Sequence, residues 1–339
     1  MNNPSDKERP IDKLRNGSGS LKIITPDDDS AISEMISIDN RLLVVKDKGI
    51  YEVKLADQVD PERTNIGAPN TIQQILPHGV QDSWIGAVVL TANHLFQSPY
   101  LSSDINGSEA FAAVLEIAED IAGAHELVEK YCDAEDVATR SLDPKIRKDR
   151  SVIVPALGNI ETRCNEFLQR SNHALQKLFR VVRMFYSDVS SGGWVGLKTK
   201  IDGESKDIDN FPQFLDETVP FLLFIRNARN CVEHRRSEQR LVTADFSVDA
   251  RNVLLPPTVE IIHPRTPLPK MSVNAFFTQT FKDLVRVVEL MVVFLCARHV
   301  STIEGVPVQV VEFPHDRRRS PHVRYGYGAI IGDEIVPMS

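Results

Sequence analysis

The side chains best suited to chemistry stand together in Arg226-Asn227-Ala228-Arg229-Asn230-Cys231-Val232-Glu233-His234-Arg235-Arg236. An imidazole of ordinary pKa, about 6.5, exchanges protons near neutrality, a guanidinium offers a planar fork of donors to phosphoryl oxygens, and an amide orients either by hydrogen bonds. Gathered around one phosphodiester, the three would supply proton transfer and charge stabilisation without a metal. On a helix turning about 100° per residue, Asn227, Asn230 and His234 share a polar face about 60° wide, while Arg229 falls in the apolar register of Phe221, Leu222, Ile225 and Val232. Arg229 and His234 then stand about 140° apart. They reach one substrate only through the length of the arginine, a distorted helix end or a second protomer. A structural role stands beside the chemical one: Arg229 pairing with Asp216 or Glu217 of a partner subunit, and His234 capping a helix end where the dipole favours a cation.

Arg229-Asn230-Cys231-Val232-Glu233-His234 resembles the defining motif of the HEPN superfamily, an Arg followed by a polar residue, commonly Asn, and a His after four to six intervening positions. The resemblance implies a helical bundle, a homodimer with facing motifs, and metal-independent endoribonuclease activity in a defence or stress system. It further implies attack of the ribose 2′-hydroxyl on the adjacent phosphorus, with His234 as general base or acid, Arg229 stabilising phosphoryl charge and Asn230 orienting substrate or imidazole. RNA, not DNA, is then the substrate, and no metal or cofactor is called for. The resemblance covers the motif and, loosely, the helices from Gly79 to Val300; the two β-like ends lie outside it. Arg317 to His322 repeats the bare spacing without the Asn, the helical setting or the preceding apolar run, so spacing alone does not carry the resemblance.

Between positions 221 and 240, five arginines stand against two glutamates, in a chain whose formal charge is −8. That overall charge excludes bulk polyanion binding, and any RNA contact must rest on a local basic surface. Arg226, Asn227, Arg235 and Arg236 are the expected substrate-binding residues, joined by Lys177 and Arg180 of the preceding helix. Arg163, Arg170 and Lys177 recur every seven residues there, which lines them along one side. If the two helices are neighbours they make a basic groove; a solvated helix face is the plainer reading. The alternative function is a non-catalytic interaction or assembly module with a protein partner or inhibitor.

Other signals are weak. His125-Glu126 lacks the second His of a zinc-protease helix, and Gly192 to Thr199 misses the Gly-Lys-Thr ending of a phosphate loop because Leu197 intervenes. Trp194 and Lys198 belong to what reads as a surface loop. Cys132, Cys164, Cys231 and Cys296 have no paired spacing, which fits a reducing cytoplasm. The N-terminus lacks the apolar core of a signal peptide, and Leu284 to Val300 is shorter than a bilayer span and carries Arg286 and Glu289, so no membrane segment is expected.

The elements that must position the motif follow from periodicity. With 42% hydrophobic residues, the chain can build one or two cores. Met35 to Leu55 reads as two strands around a Lys46–Gly49 turn. Helical spacing begins near Gly79 and continues from Ser108; the strongest stripe runs from Asn159 to Tyr186. Ser187 to Asn210 reads as a long loop. Phe211 to Arg236 is a fourth helix kinked or restarted at Pro220, and Val273 to Val300 a fifth. Pro256–Ile262, Val308–Phe313 and Val323–Ile331 are strand-like, and with the N-terminal strands would make one small sheet. The expected fold is mainly α: a HEPN-like helical bundle of about five long helices with a small peripheral β element. Its parts are a flexible lead (1–30), a β-hairpin and linker (31–70), the bundle (71–305) and a C-terminal β-like extension (306–339).

Overall fold

The computed structural model describes residues 9–17, 23–25, 28–140, 149–189, 192–204, 210–301, 307–318, 320–331 and 334–338. Among them, twelve strands in four sheets accompany the helices, and the fold is mixed α/β. This corrects the expected mainly-α, HEPN-like bundle of about five long helices. The strands are two to seven residues long, and of those that the sequence did not announce, Thr71–Leu76, Arg240–Ala244 and Leu268–Ser272 mix polar or charged residues with the apolar ones. The chain divides into two compact units, Met1–Gly86 and Ala87–Ser339.

In the first unit α1 (Pro10–Asn16) starts on a proline, whose missing N–H costs nothing in a first turn. An antiparallel meander follows: β1 (Glu34–Ile38), β2 (Arg41–Val45), β3 (Ile50–Lys54) and, after the short α2 (Ala56–Val59), β4 (Thr71–Leu76), in the order β1-β2-β3-β4. Ile36, Ile38, Leu43, Val45, Ile50 and Val53 are buried. The expected single strand from Met35 to Val45 is two, because Asp39 takes the left-handed conformation (φ 48°) and the chain reverses at Asp39-Asn40. Asp and Asn tolerate that conformation without glycine, which hid the turn.

A short helix, α3 (Ser83–Ile85), runs through a π-helical turn (Gly86–Leu90) into α4 (Thr91–Phe96). In the second unit α5 (Gly107–Arg140) and α6 (Ile160–Phe185) run antiparallel. Arg170 meets Asp120 at 3.2 Å, Lys177 meets the same carboxylate at 2.8 Å, and Arg180 meets Glu116 at 2.8 Å, so ascending numbers on one helix face descending numbers on the other. Gly123 leaves room for the Arg170 side chain, whose Nε a Cβ there would approach to 3.1 Å.

The expected loop from Ser187 to Asn210 contains a helix, α7 (Gly193–Gly203), seated by the buried pair Leu197 and Ile201 four residues apart. Residues 190–191 and 205–209 of that stretch lie outside the described residues. Next comes α8 (Phe211–Glu233), which starts with Pro212 in its first turn and passes through Pro220 without breaking. After it come β5 (Arg240–Ala244), the hairpin of β6 (Ser247–Val248) and β7 (Leu254–Leu255), β8 (Thr258–Ile262) and β9 (Leu268–Ser272), with sheet order β5-β8-β9. Ser272 caps α9 (Val273–Arg298) by accepting from the Ala275 N–H at 3.3 Å. β10 (Val308–Glu312), β11 (Tyr325–Ile331) and β12 (Glu334–Pro337) close the chain as a separate sheet. The strands thus form separate sheets, not one.

Rings from four helices meet at one end of this unit: Tyr131 of α5 and Phe167 of α6 lie 5.1 and 4.5 Å from Phe277 of α9, and Phe224 of α8 lies 6.4 Å from Phe276. That cluster takes in Phe224 near the middle of α8, whose C-terminal half carries the motif. Among the described residues no helix is long and apolar enough to cross a membrane, and all four cysteines are free.

Candidate functional site

The buried face of α8 runs through Leu215, Leu222, Ile225, Ala228 and Cys231. Cys231 is fixed from outside the helix, its thiol donating to the Ile262 carbonyl of β8 at 3.7 Å. Arg229 therefore sits at the edge of the core and not within it, and its side chain remains 27% exposed. Its Nη1 donates to Asn230 Oδ1 at 3.1 Å and lies 2.9 Å from Glu233 Oε2, while its Nε is buried without a hydrogen-bond partner.

His234 ends the helix. Its backbone turns to φ −125°, ψ 61°, although its N–H still donates to the Asn230 carbonyl at 2.9 Å. The imidazole is 68% exposed, with Nε2 4.0 Å from the Glu233 oxygen that Arg229 also approaches. At that distance there is charge proximity but no hydrogen bond. Within one chain, the distorted helix end brings both groups near Glu233, at 2.9 and 4.0 Å.

Glu233 was absent from the residues picked out by sequence. Its only sequence signal is the i,i+4 offset from Arg229, which places oppositely charged side chains side by side on a helix. A carboxylate in the last turn also faces the negative end of the helix dipole, so its position is held by Arg229 against that field.

The other expected residues divide. Arg235 pairs with Glu161 at the start of α6, which ties the two helix ends together. Arg226 and Arg236 are exposed, and among the described residues their guanidinium groups have no ion-pair partner. Asn227 turns toward the β8–β9 turn, where its Nδ2 donates to Thr266 Oγ1 at 3.2 Å. The Thr266 hydroxyl in turn lies 3.0 Å from His263 Nδ1, which also accepts the backbone N–H groups of Arg265 and Thr266 at 3.2 and 3.1 Å. Burial and the adjacent Arg265 hold the His263 pKa below its ordinary value. Nothing in the local sequence announces this second imidazole, because the β8–β9 turn brings it to α8 only in three dimensions.

Lys177 and Arg180 are not brought to the motif. Lys177 binds Asp120 and the Glu116 carbonyl, each at 2.8 Å, and Arg180 binds Glu116. Arg170 and Lys177 of the seven-residue basic repeat, joined by Arg180, thus form an ion-pair seam with α5, while Arg163 lies near Asp245, and the expected basic groove is reduced to the arginines at the end of α8 and beyond it. Asp216 pairs with Lys198 at 2.8 Å and Glu217 accepts from Gln213 at 3.2 Å, so within the chain neither serves Arg229.

The segment leading into α6 is also anchored here. Burial of Asp245 opposes its ionisation, but the N–H groups of Gly158, Phe246 and Leu157 outweigh it and lower the pKa. Compared with protein-family models, with curated proteins and with solved structures, the chain matches none.

Proposed function

We propose that the end of α8 is the active site of a metal-independent endoribonuclease. The observation that carries this reading is the convergence of the Arg229 guanidinium and the exposed His234 imidazole on one carboxylate, at 2.9 and 4.0 Å, with the Asn230 amide bonded to the same guanidinium. The resemblance of Arg229–His234 to the HEPN motif supports it from the sequence side, and Arg226 and Arg236, which have no ion-pair partner among the described residues, supply positive charge for a phosphate backbone. His234 takes the proton of a ribose 2′-hydroxyl as the new P–O2′ bond forms and the P–O5′ bond breaks, and the leaving oxygen receives a proton from the imidazolium or from water. Arg229 stabilises the charge that develops on the non-bridging oxygens, and Asn230 fixes the guanidinium that does so. The setting is cytoplasmic, in keeping with four free cysteines.

The test is cleavage of mixed RNA in EDTA by the wild-type protein and by His234→Ala. We expect strand cleavage by the wild type and a loss of about 10²-fold or more in the variant. Absence of cleavage by either protein at high concentration overturns the nuclease reading. One observation favours a second reading, a non-catalytic interaction module: Arg229 and Arg235 already have acidic partners, Glu233 and Glu161.

A further inference from the structure

Among the described residues Glu233 is the one acid that touches the motif's guanidinium, and its geometry is that of an occupant and not of a member of the machinery. Its nearest approach to Arg229 is Oε2 to Nη1 at 2.9 Å, and no aligned hydrogen bond joins the two groups, short of the two-point pairing a guanidinium makes with carboxylate or phosphate. Arg229 keeps its Nε unsatisfied in this arrangement, which marks the pairing as incomplete. The carboxylate stands 4.0 Å from His234, too far to orient the ring by a hydrogen bond. It sits at the C-terminal end of α8, where the helix dipole disfavours a negative charge. Its side chain is also 29% exposed, so it has water to move into once displaced.

From these features we infer that Glu233 is a tethered stand-in for substrate phosphate: it occupies Arg229 in the free protein and sets the affinity of the site, because a phosphodiester must displace it to bind. The identification of the ligand as an RNA phosphodiester rests on the function proposed above; the exchange of one anion for another on Arg229 does not. A phosphodiester brings two non-bridging oxygens to the same fork and can make the two-point contact that Glu233 does not. While Glu233 remains in place it also repels the incoming phosphate, at a distance where like charges interact strongly.

The test measures binding separately from cleavage. The probe is a short single-stranded 2′-O-methyl oligonucleotide, which lacks the attacking hydroxyl. Its dissociation constant is compared for the wild type, Glu233→Gln, Glu233→Ala and Glu238→Gln, and again with Arg229→Ala added to each Glu233 variant. Ala is included because a Gln amide oxygen can rebuild part of the contact with Arg229, and a melting curve verifies that each variant is folded. Glu238, exposed in the turn after α8, removes the same charge from the same neighbourhood without touching Arg229. The expected result is binding about three- to tenfold tighter in the Glu233 variants, a gain that shrinks as salt rises and disappears with Arg229→Ala. Unchanged or weaker binding in both Glu233 variants overturns the inference, as does an equal gain in Glu238→Gln, which would reduce the effect to net charge. An Arg229-dependent gain with no cleavage by any variant upholds the displaced carboxylate and removes the nuclease. Cleavage by the wild type with no gain upholds the nuclease and removes the displaced carboxylate.

Discussion

His263 shows how far a single residue's chemistry is set by its neighbours. Three donors surround its Nδ1, two of them backbone N–H groups, and only a neutral ring can accept them. Its folded pKa lies below the ordinary histidine value because of burial and Arg265. In the window below about 6.5 the unfolded chain therefore binds a proton that the folded chain refuses, and stability falls as pH falls through that window. Melting temperatures of the wild type should drop between neutral and mildly acidic pH. His263→Asn, whose amide oxygen can take the place of Nδ1, should remove that part of the drop. An imidazole that titrates at or above the ordinary value in NMR would contradict the assignment. The consequence reaches the motif, because Thr266 presents Asn227 with the hydroxyl that His263 holds.

At the scale of elements, short polar contacts decide where the sheets go. The β10–β12 sheet is fastened to α9 by Arg324, whose Nε donates to Glu289 Oε1 at 3.3 Å, and to the end of α4 by Tyr327, whose hydroxyl donates to the Leu95 carbonyl at 3.2 Å. Glu289 is 2% exposed, and burial raises its pKa although Arg324 works against the shift. Arg324→Ala leaves that carboxylate buried and unpaired, and should cost about 3 kcal/mol of stability near neutral pH by denaturant unfolding. Protonation of Glu289 removes the buried charge, and its raised pKa brings that about at higher pH than for an ordinary glutamate. The penalty should therefore shrink as pH falls, and Glu289→Leu added to Arg324→Ala should recover much of the loss. A penalty that is independent of pH would mean that packing, not charge, holds the sheet. Contacts such as Arg324–Glu289 join residues 35 apart in sequence, which is why the strands that the sequence did show could not be grouped into sheets, while β4, β5 and β9 were not legible at all.

For the whole molecule, the question is how many chains a working site needs. The resemblance implies facing motifs in a homodimer, whereas within one chain Arg229 and His234 already converge on Glu233. If each site is complete in one chain, mixing Arg229→Ala with His234→Ala protein should restore no cleavage. Restored activity near a quarter or half of wild type, from hybrid dimers with one intact composite site, would show instead that the motif halves come from different chains. With an overall charge of −8, RNA affinity, if the proposed function holds, should also fall steeply with salt, since the arginines around the end of α8 must counter the repulsion.

The sequence by itself determined the long helices, the strands at Ile50, Thr258 and Tyr325, and the six-residue stretch that carries the candidate chemistry. These depend on interactions a few residues apart, which periodicity records. Tertiary structure alone decided the rest. It made the fold mixed α/β, since β5 pairs with β8 across the hairpin between them. It turned Arg170 and Lys177 of α6 toward the acids of α5, linked His263 to Asn227 through Thr266, and bent the chain at His234, whose imidazole comes within 4.0 Å of the carboxylate that Arg229 meets. Each of these outcomes is a pairing between groups remote in sequence or a departure from ideal helix geometry, and neither leaves a local pattern of residue types.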